Sequence, residues 1–255
     1  MTLPLGISVT RDGGLLRLVL ARPKANIVDA EMIAALTVAL ADHADAPDLK
    51  AVLLSAEGPH FSFGASVEEH LPGSCDAMLK SLHALVRQML EYPVPIMVAI
   101  KGQCLGGGLE VAMAGHHLIA RSDASLGQPE MMLGVFAPAA SCLMPDRIGQ
   151  SHAEDLLYSG RPVSGDRACA MGLVDATADD PGAYALTYFD AHLANKSASS
   201  LRLAVRAARG AYAARMIARL NEVEALYLNQ LMATRDAVEG LEAFIAKRPA
   251  KWENK

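Results

Sequence analysis

Glu110 and Glu130 lie twenty residues apart, and each is accompanied by a segment that can offer backbone N–H groups. Gly106-Gly107-Gly108 stands just before the first, and Phe63-Gly64-Ala65-Ser66 lies far upstream. Two carboxylates and two such N–H groups are the components needed to add or remove water beside a thioester carbonyl. As that carbonyl becomes an enolate, charge gathers on its oxygen, and fixed donors lower the barrier. Losing one donor typically costs about 2.7 to 4 kcal/mol. Gly107 stands where a helix is expected to begin, so its N–H points out of the first turn with the helix dipole behind it. Gly64-Ala65 offers a second donor from a loop with little side chain to obstruct a ligand. Two nearby carboxyls disfavour double ionisation, so one can hold a proton while the other takes one from water.

Each feature also has a plainer reading. Glycine runs that open a helix serve tight packing or phosphate binding. Glu110 in a first helical turn is favoured by the dipole alone, and Glu130, after Gln128-Pro129 at a loop end, reads by itself as a surface acid. The spacing Gly102-x-x-x-Gly106-Gly107-Gly108 departs from G-x-G-x-x-G, and no Gly-Lys-Ser/Thr follows, which weakens dinucleotide and P-loop readings. His116-His117 suggests a metal, but neighbours on a strand point to opposite faces, so a structural role is the expectation and no metal site is assigned.

These residues need a scaffold, and the apolar pattern outlines one. Residues 15–20 read as a buried strand after an Asp12-Gly13-Gly14 hairpin turn. A helix follows over 29–46, with Asp29 as its cap and Met32, Ile33, Leu36 and Leu40 at helical spacing. A strand at 51–55 leads through a loop over 57–74 to a helix at 77–92, which Pro93 and Pro95 end. Residues 96–100 are apolar throughout, as in a strand buried on both faces, and lead to a helix over 107–114. Brief strands at 118–120 and 124–126, then helices at 151–159 and 164–171, complete an α/β pattern with parallel pairing. Beyond Leu193 only helical periods remain, at 197–209, 216–235 and 237–247. A boundary is expected near Asn195, dividing a body over 1–195 from a helical region over 196–255. Such appended helices pack on the body or on a neighbouring subunit.

With 255 residues, 52% hydrophobic and 20% charged, the chain can bury a sizeable core. Its net charge of -5, with Lys and Arg dispersed, argues against nucleic acid as a partner. Cys75, Cys104, Cys142 and Cys169 are widely spaced, so reduced thiols in a cytoplasmic protein are expected. Residues 1–14 lack the basic stretch, apolar core and cleavage site of a secretory leader. Apolar runs such as 94–100 fall short of the roughly 20 residues that span a bilayer, so no membrane association is expected.

Taken in order, the motifs resemble the crotonase (enoyl-CoA hydratase/isomerase) superfamily over nearly the whole chain. The matching segments are Leu20-Ala21-Arg22-Pro23-Lys24-Ala25-Asn26, Phe61-Ser62-Phe63-Gly64-Ala65-Ser66-Val67, Gly102-Gln103-Cys104-Leu105-Gly106-Gly107-Gly108-Leu109-Glu110, Gly127-Gln128-Pro129-Glu130 and the C-terminal residues 240–248. The resemblance implies a ββα superhelix with a C-terminal helical oligomerisation region, assembled as a homotrimer or homohexamer. It implies an acyl-CoA thioester substrate, with CoA part of the substrate and no separate cofactor. The N–H groups of Ala65 and Gly107 would hold the thioester oxygen, and Glu110 and Glu130 match both glutamates of the hydratases, with Glu130 assigned as proton donor. Arg22, Lys24, Ala25 and Lys247 would lie near CoA phosphates or adenine, and Ala65-Ser66-Val67 would contact the adenine. Two departures stand out: Ser66 replaces a usual aspartate, and residues 134–141 replace a loop that is normally glycine-rich. Together they resemble the members that hydrate cyclic dienoyl thioesters. Hydration of linear 2-enoyl-CoA is the alternative within the family, and a non-catalytic CoA-fold protein that binds RNA or a partner is the alternative of another class.

Overall fold

The computed structural model describes residues 4–255; residues 1–3, the start of the stretch read above for a leader, lie outside the described residues. Strands β1 (Leu5–Thr10) and β2 (Leu15–Leu20) pair antiparallel, with Thr10 opposite Leu15. Arg11, Asp12 and Gly13 all take positive φ, so the tight turn begins one residue earlier than the Asp12-Gly13-Gly14 reading.

From β2 onward the main sheet is parallel, in the order β1-β2-β3-β4-β6-β9, with β3 at Ala51–Ala56, β4 at Ile96–Ile100, β6 at His117–Ala120 and β9 at Ala176–Thr177. Parallel neighbours need a crossover rather than a tight turn. Helix α1 (Ala30–His43) supplies it between β2 and β3, and α2 (Cys75–Leu90) between β3 and β4. Asp29 caps α1 by accepting from Met32 N at 3.0 Å, as its side chain suggested.

A smaller sheet, in the order β5-β7-β8, takes β5 (Gln103–Leu105) from the crossover between β4 and β6, and β7 (Ser125–Gly127) and β8 (Val163–Ser164) from that between β6 and β9. The chain runs from β4 through β5 into α3 (Gly107–Ala114), then from β6 through β7 and a 3₁₀ helix (Pro129–Leu133) into α4 (Pro138–Ile148). A strand in each sheet followed by a helix is the repeating unit of the superhelix.

The two faces of the main sheet alternate along β3. Val52 and Leu54 join the large core with α1, α2 and α3, whereas Ala51 and Leu53 meet Met97, Ile119 and Phe189 on the other face. Phe189 belongs to α7 (Pro181–His192), a helix not anticipated from periodicity. Its start was nonetheless marked in the sequence, since Asp180 accepts from Ala183 N at 3.0 Å and Pro181 fills the first turn. Helices α5 (Gln150–Ser159) and α6 (Gly165–Met171) follow the expected positions.

The C-terminal region differs from expectation in its division. Segment 197–209 and most of 216–235 belong to one 32-residue helix, α8 (Ala198–Asn229), which ends before a single 3₁₀ turn (Leu231–Ala233) that leads to α9 (Arg235–Ile245). Met216, Leu220, Val223 and Tyr227 recur at three- and four-residue spacing and join the large core. Gly210 does not break the helix because its intrinsic cost, about 1 kcal/mol against alanine, is small beside that burial. A Cβ added at Gly210 would meet nothing within 4 Å. Gly210→Ala is therefore expected to raise stability by about 1 kcal/mol in denaturant unfolding, and an unchanged or lowered midpoint would show that the site is constrained.

Candidate active site

The two glutamates are brought together by one strand pairing. β5 and β7 run parallel with Leu105 opposite Gly127, and Gly106 N donates to Gly127 O at 2.9 Å. Each strand releases its chain at the same end, one into α3 and Glu110, the other into the 3₁₀ helix and Glu130. Both side chains line one cavity of about 410 Å³, together with Ala65, Gly107, Leu82 and Phe136. A second cavity, of about 450 Å³, lies beside Arg202, Arg206 and Arg209 and is lined by none of the candidate catalytic or CoA-binding residues.

The amide donors follow the same construction twice. Gly64 (φ +112°) precedes Ala65, and Gly106 (φ +50°) precedes Gly107. These conformations are open to glycine at little cost and turn the next N–H out of the local ladder. Neither Ala65 N nor Gly107 N donates a hydrogen bond among the described residues. The two lie side by side: a Cβ placed on Gly107 would come within 3.2 Å of Ala65 N. Each residue of the triplet has its own close neighbour, since a Cβ on Gly106 would lie 2.6 Å from Glu130 Oε1 and one on Gly108 2.5 Å from Ser62 Cβ. Close packing and donor presentation, set out above as rival explanations, both operate here.

The loop carrying Ala65 is held by buried polar groups that the sequence did not single out for this role. Asn26 donates to Glu57 O and His60 O at 3.1 Å each and accepts from Arg22 N at 2.9 Å. Ser62 Oγ donates to Asn26 O at 2.7 Å and accepts from Gly64 N at 3.1 Å.

Glu110 is buried on a helix whose eight residues are all buried. Its Oε1 accepts from Ala140 N at 2.9 Å. That N–H belongs to the first turn of α4, so the carboxylate occupies the place of a capping group supplied from another helix. The segment 134–141, read as a loop, thus already contains the start of α4, with Pro138 in the first turn. Proline at a first helical position was the available signal, but an alanine N–H has no signature of its own.

Burial raises the Glu110 pKa, opposed by the N–H groups of Ala140 and Ala139. Burial also raises that of Glu130, and the charge on Glu110 adds to the effect. The repulsion acts on both carboxyls alike, and the Ala140 N–H is what favours the anion on Glu110 and leaves the proton to Glu130. Gln128, buried, places its amide 3.1 and 3.2 Å from the two Glu130 oxygens. Turned to present NH₂ it donates to the carboxylate; turned the other way, its oxygen accepts from the protonated acid.

The residues assigned to CoA are distributed differently. Arg22 is committed to Asp29 through paired contacts, one of 2.7 Å, with Glu31 at 3.6 Å. Lys24 and Lys247 are exposed, Ala25 and Ser66 are half-buried, and Val67 lines the cavity. Ser66 Oγ donates to Glu68 at 3.1 Å. From the C-terminal segment, Leu241 and Phe244 line the cavity. His116 Nδ1 accepts from Ile96 N at 3.1 Å and His117 stacks on Tyr188. Among the described residues no group of three or more His, Cys, Asp or Glu side chains could hold a metal ion.

With this geometry in place, comparison with known proteins is decisive. The family model for enoyl-CoA hydratase/isomerase matches residues 10–255. The chain belongs to the enoyl-CoA hydratase/isomerase family. It is 64% identical over 252 residues, 99% of this chain and 98% of the relative, to a cyclohexa-1,5-dienecarbonyl-CoA hydratase of Thauera aromatica. It is 33% identical to a probable enoyl-CoA hydratase of Bacillus subtilis, covering 97% of this chain and 98% of the other. Among solved structures, an enoyl-CoA hydratase/isomerase of Pseudoalteromonas atlantica superposes with a TM-score of 0.83 at 26% identity, covering 98% and 99% of the two chains. The crotonase-type fold implied by the motifs is therefore the fold of this chain.

The carboxyl pair has a consequence for stability. In the unfolded chain both glutamates ionise near pH 4.3, whereas in the fold their raised pKa values keep a proton bound to higher pH. Above that pH the folded state binds more protons than the unfolded state, so their contribution to stability falls as pH rises. Glu130→Gln does not titrate, and its melting temperature relative to wild type is expected to increase from pH 5 to pH 8. A constant difference across that range would mean that the pair shares no proton in the fold.

Proposed function

We propose that this protein is a hydro-lyase that adds water to cyclohexa-1,5-diene-1-carbonyl-CoA, giving 6-hydroxycyclohex-1-ene-1-carbonyl-CoA, as a step of anaerobic benzoyl-CoA degradation. The observation that carries the reading is the pairing of Glu110 and Glu130 in one apolar cavity beside the unengaged N–H groups of Ala65 and Gly107. The substrate is supported by the 64% identity to the Thauera aromatica hydratase over 99% of this chain.

In this reading the thioester oxygen sits between Ala65 N–H and Gly107 N–H. Ionised Glu110 accepts a proton from water as the water oxygen bonds to the ring carbon β to the carbonyl. The electron pair moves into a dienolate whose oxygen the two amides stabilise. Protonated Glu130 then gives its proton to the far end of the dienolate, completing a 1,4-addition. Glu110 is left protonated and Glu130 ionised, and transfer of one proton between them resets the site. The first turn of α4 favours the anion on Glu110, and Gln128 can pair with either form of Glu130. CoA is part of the substrate and no separate cofactor takes part. Arg22, Lys24, Ala25, Ala65, Ser66, Val67 and Lys247 are the contacts proposed for the CoA portion, of which Ala65 and Val67 line the cavity together with Phe244.

Assembly into a homotrimer or homohexamer through the C-terminal helices is part of the same reading, supported by the exposure of Leu203 and Leu226 on α8. So is a cytoplasmic location, supported by the absence, among the described residues, of any helix long and apolar enough to cross a membrane.

The decisive assay compares hydration of the cyclic dienoyl-CoA with that of crotonyl-CoA. Faster turnover of the cyclic substrate is expected, whereas efficient hydration of crotonyl-CoA with a sluggish cyclic reaction would make this a linear 2-enoyl-CoA hydratase. Retention of RNA on a filter without any turnover would favour the non-catalytic alternative. Glu110→Gln and Glu130→Gln are each expected to lower kcat by about 10²- to 10⁴-fold with CoA-thioester affinity largely kept; normal turnover in either variant would remove that residue from the mechanism.

A further inference from the structure

Three of the side chains that line the cavity are ionisable: Glu110, Glu130 and His70. The third has no part in the hydration just described. His70 ends a 3₁₀ helix (Glu68–His70) that follows the amide-donor loop and precedes α2. Its Nδ1 lies 2.7 Å from Ser66 O. A carbonyl oxygen only accepts, so Nδ1 carries the proton and Nε2 keeps its lone pair. Burial lowers the pKa of the ring against a smaller opposing influence from Ser66 O, which favours this neutral form.

The neighbouring acids do not compete for the ring. Glu68 accepts from Ser66 Oγ at 3.1 Å, and Glu69 accepts from Ala30 N at 3.2 Å. The Nε2 atoms of His83, His116 and His117 are sealed within the protein without partners, whereas His70 borders the cavity. Leu79, Leu82, Val135 and Phe136 make much of the remaining wall apolar. An acceptor in such a wall loses hydration when hydrocarbon fills the cavity and regains a partner only if the occupant brings a donor.

We propose that His70 is a specificity-determining residue whose Nε2 accepts a hydrogen bond from a hydroxyl on the acyl group, so that the cavity selects hydroxyacyl thioesters over acyl groups of the same shape without a hydroxyl. The proposal rests on the hydratase reading for its class of ligand. It gives His70 no proton to carry. The reaction that turns an apolar ring into a hydroxylated one would thereby also supply the donor that this acceptor lacks.

Binding of two probes tests it: cyclohexanecarbonyl-CoA and its 2-hydroxy derivative, measured calorimetrically in a Glu130→Gln background to suppress turnover. With His70 present, the hydroxylated probe is expected to bind about tenfold more tightly. His70→Leu is expected to reduce that ratio to about one while the plain probe binds no more weakly, and His70→Gln, which returns an acceptor to the cavity, to recover part of it. Should the leucine variant fail to melt cooperatively, His70→Asn takes its place. Asparagine keeps a donor for Ser66 O but withdraws the cavity acceptor, and the same loss of preference is expected. A preference unchanged in the leucine or asparagine variant overturns the proposal, as does equal weakening of both probes. Turnover of the cyclic dienoyl-CoA by the unaltered enzyme separates the two levels. Its absence removes the hydratase reading, whereas normal turnover with an unchanged binding ratio removes only the role of His70.

Discussion

Everything in the site depends on the parallel pairing of β5 with β7. Leu105 opposite Gly127 sets the point at which both chains leave the small sheet, and Glu110 and Glu130 are carried from those two exits. A one-residue slip would turn the strand side chains to the other face and shift one exit relative to the other. Gly106 N to Gly127 O fixes the register directly at the exit. The same residue permits Glu130 to approach, because any side chain at Gly106 would collide with Glu130 Oε1. One three-residue pairing therefore sets the carboxyl separation and the start of α3, whose first N–H faces the cavity.

This arrangement works against stability. Two carboxyls are held together where burial disfavours their charge, two amides are left without partners among the described residues, and two glycines adopt conformations that most residues avoid. The surrounding fold offsets the cost locally. The first turn of α4 supplies a donor to Glu110, Asn26 donates to the carbonyls of Glu57 and His60, and Ser62 Oγ accepts from Gly64 N in the amide loop. The apolar elements beneath, including the fully buried β4 and α3, make the geometry costly to relax. The raised carboxyl pKa values and the protein's architecture are thus parts of one balance, in which core packing sustains an ionisable pair poised to exchange a proton.

How legible this was in the sequence depended on whether function resided in a side chain or in the backbone. Glu110, Glu130 and the glycine segments announced themselves by residue type and order, and the strand at Ile96–Ile100 by its unbroken apolar run. Ala140 did not, because any residue but proline at that position of α4 offers the same N–H; only Pro138 hinted that a helix began there. Asp29 was legible as the cap of α1, but its pairing with Arg22, seven residues earlier, was not, because the contact depends on how the chain turns between them. Residues 197–209 and 216–235 read as separate helical periods, but the regular spacing of Met216, Leu220, Val223 and Tyr227 against the core carries one helix through Gly210. Tertiary burial outweighed intrinsic propensity there, as it usually does for long amphipathic helices.

The C-terminus links closure of the cavity to the position of the second acid. Leu241 and Phe244 of α9 line the cavity, and Gly240, just before them, brings the helix against the turn that carries Glu130: a Cβ there would fall 2.1 Å from Leu133 O. The last residues then fold back along the helix. Glu253 N and Asn254 N both donate to the Asp236 carboxylate at 2.7 Å, and the Trp252 ring would lie 3.0 Å from a Cβ on either Gly134 or Gly240. Trp252 therefore packs over both partners of the contact, the turn after Glu130 and the helix that covers the cavity. Because α9 and the Glu130 turn approach through glycine and backbone rather than through adaptable side chains, neither can shift far without disturbing the other. The apolar wall formed by α9 and the turn that carries Glu130 are consequently held in one packed unit, to which Trp252 and the residues that pair with Asp236 belong.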